Sequence, residues 1–437
     1  MRVHSEEIVI PKERMSFGSL EKLKEYFDVE IRKEFPESIP LRFVITKNAS
    51  KGSFCDVDFV TYEQQSEKAL YPIANIFDFR KRAHDETDQF NVVLLIPTGV
   101  GAEIGGSCGD GNVVARLMAS ACDTLITHPN VVNASDINEM TENTLYVEGS
   151  ILTRFMMGTV GLQRVRSNRI MMIMDKSHDG LFNNEIVNAV SSARVTLGID
   201  CDVIELKESI RSSSLFTKSG RAAGHVERID RLFDVVRKFR EQYDAVGLAT
   251  VIKVPDRLDK DYFRKDEEVV NPWGGIEAMI THSTASVSDL PCAHSPLNDT
   301  RENLHLNMKL GIVDPRKAPE SASVTYLHCI LKGLHRSPRI VAWENGISVE
   351  NVSCLVIPDG CVGLPVLSCI EQGIPVIAVK NKNAMKNDLR ALPFKRRQLY
   401  FAENYLEAAG IVAAIKAGIE INTLKRPIAD TSSLRNR

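Results

Sequence analysis

Short apolar runs rich in Val and Ile recur along this chain, separated by longer segments of helical period. The strand-like runs fall at 92–96, 171–174, 202–206, 245–251, 354–357 and 375–379, and candidate helices lie at 112–122, 184–197 and 225–239. A run that is apolar at consecutive rather than alternate positions has to bury both faces, which a parallel sheet covered by helices on each side allows. The pattern predicts an α/β fold with mostly parallel sheets in two Rossmann-like lobes.

Residues 1–88 break the pattern: a Lys/Glu-rich helix at 19–27 and an apolar run at 41–45 predict a small α+β N-terminal addition. A charged connector, 80–89, follows. The lobes are expected at 91–260, which carries a Gly-rich loop, and at 270–425, with the charged segment 256–272 near their division. Two internal echoes hint at duplication of an α/β unit: LLIPTGVGAEIGG (94–106) with LVIPDGCVGLPVL (355–367), and ITH at 126–128 with ITH at 280–282.

Composition narrows the function classes. With 43% apolar and 25% charged residues the chain has the balance of a soluble globular protein, and its net charge of −3 gives no electrostatic reason to expect nucleic acid. Nine cysteines, an odd number without a CxxC pair, fit neither a disulfide framework nor a zinc ribbon. The N-terminal MRVHSEEIVIPKERM lacks an apolar signal-peptide region, and no run has the length of a membrane span. These features lead to the expectation of a cytoplasmic protein without a membrane partner; a homo-oligomer is left open.

The densest stretch is IPTGVGAEIGGSCGDGNVVARL, residues 96–117. A Gly-rich turn between a strand and a helix presents backbone N–H groups to an anion, so Thr98, Gly99, Gly101, Gly105, Gly106 and Asp110 are expected to hold a carboxylate or phosphate. The spacing is neither GxGxxG nor GxxxxGK[ST], which disfavours the familiar nucleotide sites. The competing reading gives these glycines positive φ and close packing alone. Cys108, just ahead of the helix, is expected to have a lowered pKa, with Asp110 as the helix cap. Cys361, in Asp359-Gly360-Cys361, ends another apolar run. Two thiols across a cleft, with Asp359 and His128 as further acid–base candidates, suit proton exchange at a carbon.

His128 ends a strand-like run and precedes Pro129, which places an imidazole at the carboxyl end of a sheet, where open α/β folds bind ligands. Asn130, Asn133, His282, His294 and Ser295 are expected to contact substrate. A zinc reading of His128, His282, Cys292 and His294 is the alternative, although no helical HxxxH or CxxC pair supports it. Glu148 reads as a lone carboxylate. Trp273 reads as packing at a lobe junction.

IPTGVGAEIGGSCGDG, THPNVVNASD, LYVEGS and LVIPDGCVGLPVLSCIEQGIPVIAV, in this order, resemble a family of uncharacterised proteins of cyanobacteria, plants and other bacteria, DUF3326, over roughly residues 91–385. The resemblance implies no activity. From the residues, the expected function is an enzyme acting on a small anionic metabolite, an isomerase, racemase or lyase working by proton abstraction without a cofactor. A zinc-assisted hydrolase or lyase and a non-enzymatic metabolite sensor are the alternatives.

Overall fold

Val352–Pro358, with the sequence VSCLVIP, is buried at six of its seven positions, as its unbroken apolar run requires of a strand covered on both faces. In the computed structural model, which describes residues 1–11, 19–49, 52–176, 180–264, 269–297, 311–321, 325–428 and 430–431, this is strand β15 of a six-stranded parallel sheet. The sheet runs β18-β17-β15-β4-β5-β6. One half is β4 (Asn91–Leu94), β5 (Thr124–Thr127) and β6 (Thr144–Tyr146); the other is β15, β17 (Val376–Val379) and β18 (Leu399–Ala402). β4 and β15 pair directly in the middle.

Counted along the chain, that order is 3-2-1-4-5-6, the doubly wound arrangement whose ligands bind beyond the carboxyl ends of the strands, where the order reverses. Here the reversal lies between β4 and β15. The Gly-rich loop leaves β4, and Asp359-Gly360-Cys361 leaves β15. The first internal echo therefore has a topological counterpart, because the two copies begin on the two central strands. The helix after β15, Leu364–Gln372, shows why the sequence breaks where it does: Pro365 opens it and Gly373, at φ +73°, closes it.

A four-stranded parallel sheet is inserted between β6 and β15, in the order β13-β12-β8-β9. Its strands are β8 (Arg169–Met174), β9 (Asp200–Glu205), β12 (Ala245–Val251) and β13 (Cys292–Leu297). A small antiparallel pair, β7 (Gly161–Gln163) with β14 (Arg339–Val341), lies in the same insertion. The third sheet is antiparallel and six-stranded: β1 (Arg2–Pro11), β2 (Ser38–Ala49) and β3 (Gly52–Thr61) are joined by the hairpin β10 (Arg211–Phe216) and β11 (Ala222–Glu227), and by β16 (Val362–Gly363). Arg221, fully buried beside β11, fixes the hairpin by donating to Asp56 at 3.0 Å and to Asp58 at 2.8 Å on β3.

The α/β class holds, but the division of labour along the chain differs from the expected one. The two halves of the central sheet come from opposite sides of a long insertion, so the sheets do not follow consecutive lobes at 91–260 and 270–425. Residues 1–88 supply three strands to a sheet completed from 211–227 and 362–363, so they are integral to it. The helix expected from 225 begins at Asp230, because 222–227 pairs as β11. Of the charged segment, Asp256–Phe263 is helical and 265–268 lie outside the described residues. The second echo has no common geometry: His128 follows β5, whereas His282 lies inside the Gly274–Ser288 helix.

Candidate functional site

All three large sheets meet at one cavity of about 200 Å³. The loops after β4, β5 and β15 bring Thr98, Cys108, His128 and Cys361 to it. β13 contributes His294 and Ser295, and β2 contributes Arg42. The Gly274–Ser288 helix presents Glu277, Ala278, Thr281 and His282, positions that share one helical face. Glu148, the N-cap of the Gly149–Met156 helix, completes the polar wall.

Glu148 divides its two oxygens. Oε2 caps the helix, accepting from the backbone N–H of Ser150 at 2.8 Å and of Ile151 at 3.1 Å. Oε1 stands 3.3 Å from His282 Nε2 and has no hydrogen-bond partner among the described residues. A carboxylate beside Nε2 favours the proton there and leaves the lone pair on Nδ1, which is also buried without a partner. Burial holds the His282 pKa below its usual value, against the opposing pull of Glu148.

His128 has the other tautomer. Its Nε2 accepts from the backbone N–H of Ile96 at 3.2 Å, so in the neutral ring Nδ1 carries the proton. Burial, with the nearby His282 and Arg42, lowers its pKa to about 3. The ring is neutral at physiological pH. Arg42 donates to the Thr98 carbonyl at 2.7 Å, while its second terminal nitrogen, NH1, is buried with no partner among the described residues. Ser135 Oγ, on the same cavity, is also unpartnered. Each such group costs about 1–3 kcal/mol if left so, which makes their clustering on one cavity informative.

Residues 91–425 match the family described as "Protein of unknown function (DUF3326)". The chain belongs to this family. It is also 32% identical over 338 residues to an uncharacterized lipoprotein of the cyanobacterium Synechococcus sp., covering 75% of this chain and 91% of that one. No solved structure matches the chain. A relative named as a lipoprotein overturns the expectation of a cytoplasmic location, because lipoproteins are held at a membrane by a lipid. Among the described residues no helix is long and apolar enough to cross a membrane.

In this DUF3326 chain the thiols are not poised as expected. Burial, then the Glu320 carboxylate, pushes the Cys108 thiol well up; burial and Asp359 push Cys361 to about 12. The helix that was to activate Cys108 begins only at Asn112, and Cys108 Sγ donates to the Asn133 carbonyl at 3.2 Å. Both cysteines line the cavity, but as neutral thiols. Asp359 does not line it; its carboxylate accepts from the Gly360 N–H at 2.9 Å.

The Gly-rich loop of the DUF3326 protein is held from within. The N–H groups of Glu103, Ile104, Gly105 and Cys108 are taken by Lys382 O, Asn381, Asp110 and Glu320 respectively. Asp110 therefore ties Gly105 and does not cap the helix, whose N-cap is Gly111. Burial pushes Asp110 up to about 7, and Glu320 likewise. Gly99, Gly101 and Gly105 have positive φ, and a Cβ on Gly106 would meet the Ala102 carbonyl oxygen at 2.0 Å. None of these four lines the cavity, while Thr98 does. Asn130 donates to the carbonyls of Ile96 and Gly105, and Asn133 is paired with Tyr146, so both asparagines line the cavity while bracing its walls.

The zinc donor set is not assembled. Among the described residues no three His, Cys, Asp or Glu side chains are grouped to hold a metal ion. His294 meets Thr250 at 2.8 Å and Glu277 at 3.5 Å, and Ser295 donates to the carbonyls of Thr325 and Tyr326. One residue central to the cavity lacks any local sequence signal, Arg42, on an antiparallel strand outside the family match; Glu148, read from the sequence as a lone carboxylate that could face the cleft, lines the cavity and meets His282 across the fold.

Proposed function

We propose that this protein is an isomerase, racemase or lyase that removes a proton from the carbon beside the carboxylate of a small metabolite bound in this cavity. The observation that carries the reading is the placing of His282 Nε2 3.3 Å from Glu148 and of His128 Nε2 3.2 Å from the Ile96 N–H, near an Arg whose NH1 has no partner among the described residues; these contacts assign the two rings opposite tautomers, His282 with its lone pair on Nδ1 and His128 with Nδ1–H. One ring accepts a proton and the other donates a hydrogen bond, the division of labour that enolising enzymes use.

In the reaction, His282 Nδ1 takes the proton from carbon, and the C–H electron pair moves into the carboxylate to give an enolate-like anion. Arg42 and the Nδ1–H of His128 stabilise its oxygens. Protonation of the opposite face by water, with His282 releasing its proton to solvent, completes a racemisation; expulsion of a group from the next carbon, protonated by His282 as it leaves, completes an elimination. No electrons are gained or lost. The raised thiol pKa values shift the acid–base role from Cys108 and Cys361 to the imidazoles.

The test is solvent exchange. The purified protein is incubated in D₂O with amino, hydroxy and oxo acids, and loss of the α-proton signal is followed by NMR. Exchange that disappears in His282→Asn supports the reading. Absence of exchange with every class, or exchange that survives His282→Asn, sinks it.

A further inference from the structure

We infer that the ligand of this cavity is a zwitterion with an apolar side chain, an α-amino acid of the branched aliphatic kind, held by Arg42 at its carboxylate and by Glu148 at its ammonium group. The inference rests on the proton-transfer reading above for the reason such a ligand is bound, and goes beyond it in naming the substrate class.

Two residues that line one cavity carry buried polar atoms of opposite character with no hydrogen-bond partner among the described residues: NH1 of Arg42, a donor, and Oε1 of Glu148, an acceptor. A simple anion would satisfy the first and leave the second facing a like charge. A simple amine would do the reverse. A molecule with both ends satisfies each, and Oε1 retains lone-pair capacity for an ammonium beside its contact with His282. His282 Nε2 lies 3.3 Å from Glu148 Oε1, which sets the base beside the group that would hold the ammonium.

One stretch of the remaining wall is apolar, beside polar groups that include Asn133, Ser135, Glu277 and Thr281. Leu41 and Phe43 on β2, Ile76, Leu364, Val366 and Met385 form that stretch. Phe43 is itself fixed by edge contacts with Phe27 and Phe77 at centroid distances of 5.7 and 5.6 Å. This apolar stretch, near the Arg42 guanidinium and the Glu148 carboxylate, matches an aliphatic side chain.

The experiment compares four probes with the full chain by calorimetry and thermal shift: leucine (both enantiomers), leucic acid, isocaproate and isoamylamine. One enantiomer of leucine is expected to bind at least tenfold tighter than the three others, and Arg42→Gln and Glu148→Gln are each expected to lose at least tenfold of that affinity. Gln at 148 keeps an oxygen for the helix cap, and circular dichroism checks the fold. Should Arg42→Gln fail to fold, Arg42→Lys and the ranking of the probes on the native protein decide. Leucic acid or isocaproate binding as tightly as leucine overturns the inference, as does leucine affinity unchanged in Glu148→Gln, or no binding of any probe. Leucine bound without exchange of its α-proton in D₂O would keep the zwitterion site and sink the proton-transfer reading; exchange of leucic acid without leucine binding would do the opposite.

Discussion

Glu148 Oε1 lies 3.3 Å from His282 Nε2, while Oε2 of the same carboxylate caps the Gly149–Met156 helix. One side chain thus ties the orientation of an imidazole to the start of a helix. Replacing Glu148 by Gln retains an oxygen for the cap but removes the charge that favours the proton on Nε2. The expected result is a fall of about 10²–10⁴-fold in the exchange rate, in the range of a lost general base, with a melting temperature close to that of the native protein. A large loss of stability with the rate per folded molecule unchanged would show that Glu148 serves the helix alone.

The two cavity thiols lead to a prediction of the opposite kind. Since burial keeps Cys108 and Cys361 protonated at neutral pH, neither is a ready nucleophile or base. Cys108→Ala and Cys361→Ala are each expected to leave α-proton exchange within about threefold of native, well short of the loss of a general base. Iodoacetamide is expected to label both slowly at neutral pH. Rapid alkylation of either thiol, together with loss of exchange, would return the chemistry to the cysteines.

How much of this was legible in the sequence depends on the range of the signal. β12 falls on 245–251 as read, because a consecutive apolar run reports its own burial. His128 was legible for the same reason, as the residue after a buried strand and before a proline. His282 was found as a residue but misplaced, since ITH within a small, apolar helix looks like the end of a strand. Arg42 carried no local signal: a lone Arg on an antiparallel strand reads as solvent-facing until the packing of β2 onto the cavity is known. The lobes were misdivided because pairing of β4 with β15 is a contact between distant parts of the chain, which periodicity does not report.

His128 sets a pH dependence of stability. Its folded pKa, about 3, lies below the unfolded value near 6.5, so the unfolded chain binds the extra proton between these limits. The contribution is present in full above pH 6.5 and is lost as the pH falls toward 3, at up to about 1.4 kcal/mol per pH unit. His128→Gln is expected to reduce the acid slope of the unfolding free energy by up to one proton over this window, as measured by urea titrations at successive pH values. An unchanged slope would mean that His128 is charged in the folded protein, and it could not then be the neutral donor.

The Gly-rich loop is where packing and conformation can be separated by substitution. Gly109 has φ +101°, and a Cβ there would lie 2.2 Å from the Cβ of Ala134, on the segment that follows His128. Gly109→Ala combines a strained backbone with an overlap, so a loss of at least about 2 kcal/mol is expected. Gly410 supplies the contrast: it lies within the Tyr405–Lys416 helix, with nothing within 4 Å of an added Cβ. Gly410→Ala is expected to stabilise the protein by about 0.5–1 kcal/mol, through helix propensity alone. Because Ala134 directly follows the wall residue Asn133, Gly109→Ala is also expected to weaken ligand binding, measured at a temperature where the variant is folded, while Gly410→Ala leaves binding unchanged. Equal stability changes for the two would mean that the loop tolerates a side chain, and that its glycines are not there to let it pack against the cavity wall.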